Sequence, residues 1–286
     1  MTGKNAGETG LRFEFGENWT RYLSGVDEDR IREAERSLRQ MLEVETLEGA
    51  TFLDIGSGSG LFSLSARRMG ARVCSFDYDR RSVECTKVLK DRYFAVDEKW
   101  TVAHGDVLNP DFLGSLGCFD IVYSWGVLHH TGAMWKALEN VGPLVGPQGK
   151  LFISIYNDQG ATSHRWRALK KCYNDSSKLV RLIIILGVGT YWELLSAAFR
   201  LIHLRNPFPF KKWKEKKKDR GMSVWYDLVD WVGGYPFEVA KPEEILHFYR
   251  KKGFCLLRLK TCGGGHGCNE YVFAREHRGS DTPSPV

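Results

Sequence analysis

One stretch limits what this chain can become: Leu53-Asp54-Ile55-Gly56-Ser57-Gly58-Ser59-Gly60. The short apolar segment Thr51–Ile55 reads as a strand, the glycines follow at once, and residues 61–69 read as a helix stopped by Gly70. Glycine permits a tight turn and lets the main chain approach a ligand closely, and the start of a helix offers unpaired N–H groups. A nicotinamide fingerprint spaces its glycines G-x-G-x-x-G. Here the spacing is G-x-G-x-G behind an acidic residue. Asp54 would repel a pyrophosphate, so the loop suits a ligand that carries an ammonium and a sulfonium and no phosphate.

The alternation continues along the chain. Arg72–Asp77 and Trp100–His104 read as further strands, with a helix at 82–94 between them. A fourth strand is expected at 119–124, a helix at 134–140 and a fifth strand at 150–156. Strands separated by helices at this pitch imply βαβ units and a parallel sheet. A helix at 242–252, with Pro242 in its first turn and Gly253 just beyond its end, precedes two closing strands at 254–259 and 271–274 joined by a Gly-rich turn. Upstream, an aromatic patch (Phe13, Phe15, Trp19, Tyr22) leads into a helix. Ser24 and Asp27 resemble a capping box for it, and Ile31, Leu38, Met41 and Leu42 form its apolar face. The polar ends, 1–10 and 276–286, read as frayed.

Asp54-Ile55-Gly56-Ser57-Gly58-Ser59-Gly60 resembles motif I of the class I S-adenosylmethionine-dependent methyltransferases. The resemblance implies a Rossmann-like α/β fold whose last strand runs antiparallel, with S-adenosyl-L-methionine as cofactor. It assigns Gly56, Gly58 and Gly60 to the methionine part of that cofactor, with Asp54 beneath the loop. It gives Asp77 the two ribose hydroxyls, for which a carboxylate is the right acceptor. Tyr78 then lies along the adenine, and Asp106, with Val107, receives the adenine amino group. Phe119-Asp120-Ile121-Val122-Tyr123-Ser124-Trp125-Gly126-Val127-Leu128-His129-His130 resembles motif IV of the small-molecule members, and the motif I to IV core looks most like the quinone- and natural-product-type O-methyltransferases. Trp19 and Trp125 complete the expected cofactor contacts. The resemblance covers 50–156 and 240–275 and leaves 157–235 unaccounted for.

Open α/β sheets bind ligands beyond the carboxyl ends of their strands. Those ends present Trp125, His129, His130, Tyr156 and Asn157. His129 or His130 can serve as the base that takes a proton from a hydroxyl or thiol, with Tyr156, Asn157 and Asp158 orienting the acceptor. The bland alternatives are a histidine packed against the next helix and a polar exit from the strand. No metal is expected: Cys262, His266 and Cys268 offer three ligands at irregular spacing, where a structural zinc site wants four.

Residues 157–235 hold an apolar helical stretch at 179–204, a basic run at 211–220 and an aromatic segment at 225–235. Arg181, Glu193 and Arg200 interrupt the apolar stretch, whereas a membrane span needs about 20 apolar residues. The preferred reading is a cap helix over the sheet that walls an apolar pocket. A second is a weak peripheral contact with anionic lipid through 179–220. The basic run can also touch RNA phosphates, but no separate RNA-binding module is visible and nucleic acid is not an expected partner.

The chain thus divides into an N-terminal segment and helix (1–48), a cofactor-binding core (49–156), a helical cap insertion (157–235), a closing helix and hairpin (236–275) and a tail (276–286). Seven cysteines without a paired framework, and an N-terminus without a basic-then-apolar leader pattern, point to a cytoplasmic protein. The net charge of +6 is too mild to indicate nucleic acid by itself. The expected reaction is methyl transfer to the oxygen of a small or mid-sized, partly apolar acceptor. A thiol or sulfide acceptor of the methanethiol or hydrogen sulfide type, a tRNA-modifying enzyme and a non-catalytic cofactor-binding module are the alternatives.

Overall fold

The computed structural model describes residues 13, 19, 26–203, 224–265 and 267–275. Its centre is a seven-stranded sheet in the order β3-β2-β1-β4-β5-β7-β6. The strands are β1 (Thr51–Ile55), β2 (Arg72–Asp77), β3 (Trp100–His104), β4 (Phe119–Trp125), β5 (Val145–Tyr156), β6 (Phe254–Lys260) and β7 (Cys268–Arg275). Pairings among β1 to β5 are parallel, and β7 runs antiparallel to both β5 and β6. This is the Rossmann-like class I methyltransferase sheet expected from the sequence.

Successive side chains of a strand point to opposite faces, and the two cores follow that alternation. Leu53, Val122, Ile153 and Phe273 pack on one face with Leu138 and Tyr249. Their neighbours Phe52, Tyr123, Phe152 and Val272 pack on the other with Leu38 and Trp100. Strands buried on both faces read as unbroken apolar runs, which is why Leu151 to Ile155 are all buried.

Helix α1 (Glu28–Leu42) lays Ile31, Leu38, Met41 and Leu42 into the second core as expected. Its cap differs from the expected box. Asp27 itself is the N-cap, accepting from the Arg30 N–H at 3.0 Å, while Ser24 lies outside the described residues. Helices α2 (Leu61–Arg68), α3 (Arg80–Phe94), α4 (Pro110–Leu116) and α5 (Met134–Val141) fill the crossovers. The short α4 has no clear apolar period in sequence. Its signal is local: Asn109 caps it by accepting from Asp111 and Phe112, and Pro110 sits at its first position.

Among the described residues, the insertion contains α6 (Ala161–Asp175), α7 (Lys178–Ile202) and α8 (Val224–Gly233), followed by α9 (Pro242–Lys251) of the closing unit. Here the cap expectation needs correction. Among the described residues, the apolar helix α7 does not pack on the sheet itself. It rests on α6 and α8, and Ile185 is its one buried residue. The helices that reach the sheet end are α6 and α8. The basic run 211–220 lies outside the described residues.

Tyr249 of α9 is fully buried, and its hydroxyl donates to the Leu138 carbonyl of α5 at 3.0 Å, tying the closing unit to the core. Tyr249→Phe should lower unfolding free energy by about 1 kcal/mol, and Tyr249→Ala by about 3–5 kcal/mol through loss of the ring. Equal, negligible losses in denaturant titrations would show that α9 is not part of the cooperative core.

Candidate cofactor and acceptor site

The glycine loop is held by the strand beside it. The N–H groups of Gly56 and Ser57 donate to the Phe76 carbonyl at 2.8 and 3.1 Å, and the Gly58 N–H donates to Asp77 Oδ2 at 2.9 Å. Gly56 has a φ of 77°, and a Cβ there would lie 2.4 Å from the Val127 side chain. Gly60, with φ 81°, caps α2, where a Cβ would press on the Thr86 backbone. The Trp19 indole lies against Gly58, close enough that a Cβ would be 3.0 Å from its ring. Trp19 thus covers the glycine loop.

Beneath the loop, Asp54 is buried and accepts the Ser63 hydroxyl at 2.5 Å. Ser63 meets the Ser75 hydroxyl at 2.7 Å, and Ser75 accepts from the Trp100 indole at 2.9 Å. Burial pushes the Asp54 carboxyl up to about 7, with the Ser63 bond opposing and nearby Asp77 adding to the rise. Asp77 is pushed up to about 6, again chiefly by burial, against the pull of the N–H groups of Gly58 and Asp79. Two carboxyls at the ends of β1 and β2 therefore face a glycine loop with little positive charge to balance them. That arrangement favours a ligand that brings hydroxyl donors or positive charge.

Tyr78 is exposed beside Asp77, its carbonyl 2.9 Å from His104 Nε2. Asp106 follows β3, with its Oδ1 fixed by the Leu108 N–H at 2.9 Å. The Val107 side chain is buried in the core, so what it offers a ligand is main chain. Trp125 is exposed at the end of β4. All these residues share the carboxyl edge of the sheet, where open α/β folds bind ligands.

The acceptor-side candidates cluster at the ends of β4 and β5. His129 is fully buried, its ring centroid 4.1 Å from that of Tyr156 and 4.5 Å from that of His130. Burial, together with His130, keeps it neutral, well below the usual histidine value. His130 Nδ1 lies 2.6 Å from the Pro236 carbonyl oxygen and so carries the proton, and burial pushes this imidazole down to about 3. The segment 235–240 straps across the cluster: the Glu238 N–H donates to the His129 carbonyl and the Ala240 N–H to that of Tyr156, both at 3.0 Å. Asn157 and Asp158 are engaged locally, Asn157 Oδ1 by the Asn269 amide at 3.0 Å and Asp158 Oδ1 by the Gly160 N–H at 2.8 Å.

The sequence reading missed the group facing Tyr156 from the insertion. Trp231 lies 5.7 Å and Phe237 5.1 Å from the Tyr156 ring. Lys170 is fully buried, donates to the Trp231 carbonyl and sits over the Trp231 and Phe237 rings at 4.6 and 4.9 Å. Burial pushes its amine down to about 7. The available signal was the helical period of Ser163, Trp166, Lys170 and Tyr173, which places a lone lysine on an otherwise uncharged inward face of α6. Cys262 and Cys268 carry free thiols, and His266 lies outside the described residues.

The sequence model of a family described as "Methyltransferase domain" matches residues 26–216. Among curated relatives, the ubiquinone biosynthesis O-methyltransferase of Parvibaculum lavamentivorans is 28% identical over 116 residues, covering 40% of this chain and 43% of that protein. Its counterpart from Xanthomonas oryzae pv. oryzae is 32% identical over 111 residues, covering 39% and 45%. The match thus spans less than half the length of either relative. Magnesium protoporphyrin IX methyltransferase from Synechocystis with bound S-adenosylmethionine superposes with a TM-score of 0.53 at 13% identity, covering 91% of both chains. An N-methyltransferase from Bradyrhizobium japonicum in complex with S-adenosyl-L-homocysteine gives 0.50 at 16%, covering 92% and 98%. At such identities the likeness concerns the fold alone. The family match over most of the chain, joined to the motif I loop and the sheet order, places this chain among the class I S-adenosylmethionine-dependent methyltransferases.

Proposed function

We propose that this chain transfers the methyl group of S-adenosyl-L-methionine to an acidic hydroxyl of a small or mid-sized, partly apolar acceptor. The observation that carries the cofactor half is the pair Asp54 and Asp77 around a glycine loop. Asp77, with both oxygens already turned toward main-chain donors, is the group to take the ribose diol. Asp54 lies beneath the methionine part, Gly56, Gly58 and Gly60 admit it closely, and Tyr78, Asp106 and Val107 line the adenine side. Trp19 and Trp125 close over it. The sulfonium carries its own leaving group, so the protein contributes positioning and exclusion of water.

The acceptor half rests on the aromatic cluster of Tyr156, Trp231 and Phe237, and on two histidines that hold protons poorly. An imidazole that titrates near 3 is a weak base, unsuited to stripping an aliphatic alcohol. His129, His130 and Tyr156 then act by orienting the acceptor. A phenolic hydroxyl, with an ordinary value of about 10, ionises readily beside the Lys170 ammonium. That chemistry agrees with the O-methyl transfer for which the ubiquinone biosynthesis relatives are named. A thiol acceptor meets the same condition, because a thiolate is already nucleophilic. We read the enzyme as cytoplasmic, with no nucleic-acid partner, and the insertion 157–235 as the part that sets acceptor choice.

Methyl-labelled cofactor incubated with the protein and a fractionated extract should deliver label to an organic-extractable phenol or thiol. Label found in RNA or protein, or none in any fraction, would refute the reading. In the same assay Asp77→Asn, if folded, should weaken cofactor binding by about 1–3 kcal/mol; unchanged affinity by calorimetry removes the ribose assignment. Trp231→Ala should raise the acceptor KM while leaving cofactor affinity within about twofold, a change of ~0.4 kcal/mol. A loss of cofactor affinity instead would show that α8 belongs to the cofactor site.

A further inference from the structure

Helix α7 carries an unusual surface. It runs 25 residues with high mean hydropathy, yet almost none of it is buried. A core helix of that composition is covered by its neighbours; this one exposes Leu182, Ile183, Leu186, Leu194, Leu195 and Phe199. Of the charged residues within it, Arg181 and Arg200 are drawn back onto the protein, while Glu193 sits at the edge of that face with a partly exposed side chain. Arg181 donates to the Tyr173 and Asn174 carbonyls at 3.0 and 2.7 Å, and Arg200 pairs with Glu193 at 3.6 Å. Apart from Glu193, every exposed side chain from Leu179 to Ile202 is uncharged. A contiguous apolar face of this size on a folded protein marks an interaction site.

The helix is long enough to cross a bilayer at 1.5 Å per residue, but its packing places it along the protein surface. Its inner face rests on α6 and α8: Ile185 joins Tyr173 and Val232, and Trp192 lies 5.7 Å from Trp166 and 6.1 Å from Trp231. The helices before and after it both return to the same sheet domain. A bilayer therefore meets α7 from the side. Charge complementarity identifies which kind. Lys178 opens the helix, and the chain beyond it carries Lys211, Lys212, Lys214, Lys216, Lys217, Lys218 and Arg220 against only Glu215 and Asp219 in the stretch 211–220. A lysine-rich sequence adjoining an apolar helix is the composition that favours seating among anionic headgroups.

We propose that α7 is a membrane-surface helix whose outer face lies in the interfacial layer of an anionic phospholipid bilayer. The inference stands apart from the acceptor reading, and its test needs no acceptor.

The test is co-sedimentation of the full chain with phosphatidylcholine vesicles, with and without phosphatidylglycerol. Wild-type protein should pellet with the anionic vesicles, much less with the neutral ones, and partly detach in high salt. Leu182→Glu/Leu186→Glu/Leu195→Glu alters exposed side chains only and should lower apparent vesicle affinity by at least ~10-fold, with circular dichroism and cofactor affinity unchanged. The wild-type comparison decides independently of any variant: protein left in the supernatant with anionic vesicles overturns the proposal. So does a folded triple variant that binds vesicles as tightly as wild type. So does light scattering showing a dimer that the triple substitution dissolves while wild type ignores vesicles, which would assign the face to a second copy.

Discussion

The hydrogen bond from the Gly58 N–H to Asp77 organises the cofactor end of this molecule. It joins the glycine loop of β1 to the end of β2, and it does so through a carboxylate held in partly buried surroundings. The loop can adopt that path only because Gly56, Gly58 and Gly60 take positive φ without a side chain to clash. Trp19 above and the Ser63–Ser75–Trp100 relay below then fix the two faces of the turn. The carboxyls pay for this placement in desolvation, which appears as their raised affinity for protons. Groups with folded values near 6 and 7 favour the native state when protonated, and that contribution is lost as pH rises from about 4 to about 7.

The acceptor side follows a different logic. The strap 235–240 and helices α6 and α8 bring Lys170, Trp231 and Phe237 to Tyr156, and none of these belongs to the repeated βα pattern. The result is a desolvated aromatic cluster that holds two histidines of lowered proton affinity and a lysine that titrates near 7. Electrostatic effects grow as water is excluded, so under the proposed function the charge on Lys170 acts on the acceptor more strongly than it would in solvent.

The fold was legible where periodicity and glycine chemistry agreed. The bounds of β1, β2 and β3 follow from short apolar runs that end in glycine or aspartate, and the sheet order follows from the resemblance those motifs carry. Helix α4 escaped because seven residues give too few turns for a period to register, although Asn109 and Pro110 marked its start. Helix α6 escaped because its exposed face is densely charged and hides the inward line of Trp166, Lys170 and Tyr173. The composition of α7 was read correctly and its placement was not. Hydropathy reports that a surface avoids water; it does not say whether protein or lipid covers it. For Asp54 and Asp77 the sequence offers the carboxyls but not their states, since their raised values depend on burial that only the folded chain creates.

The most direct test of the account is the proton balance of cofactor binding. If the ribose diol and the positively charged methionine part are held by ionised Asp77 and Asp54, binding must drive their protons off. Calorimetry of S-adenosyl-L-methionine binding between pH 6 and 7, in buffers of different ionisation enthalpy, should show net proton release that disappears well above pH 7, with affinity falling as pH drops through that window. Binding with no proton exchange, or with uptake, would contradict the claim that these two carboxyls receive the cofactor.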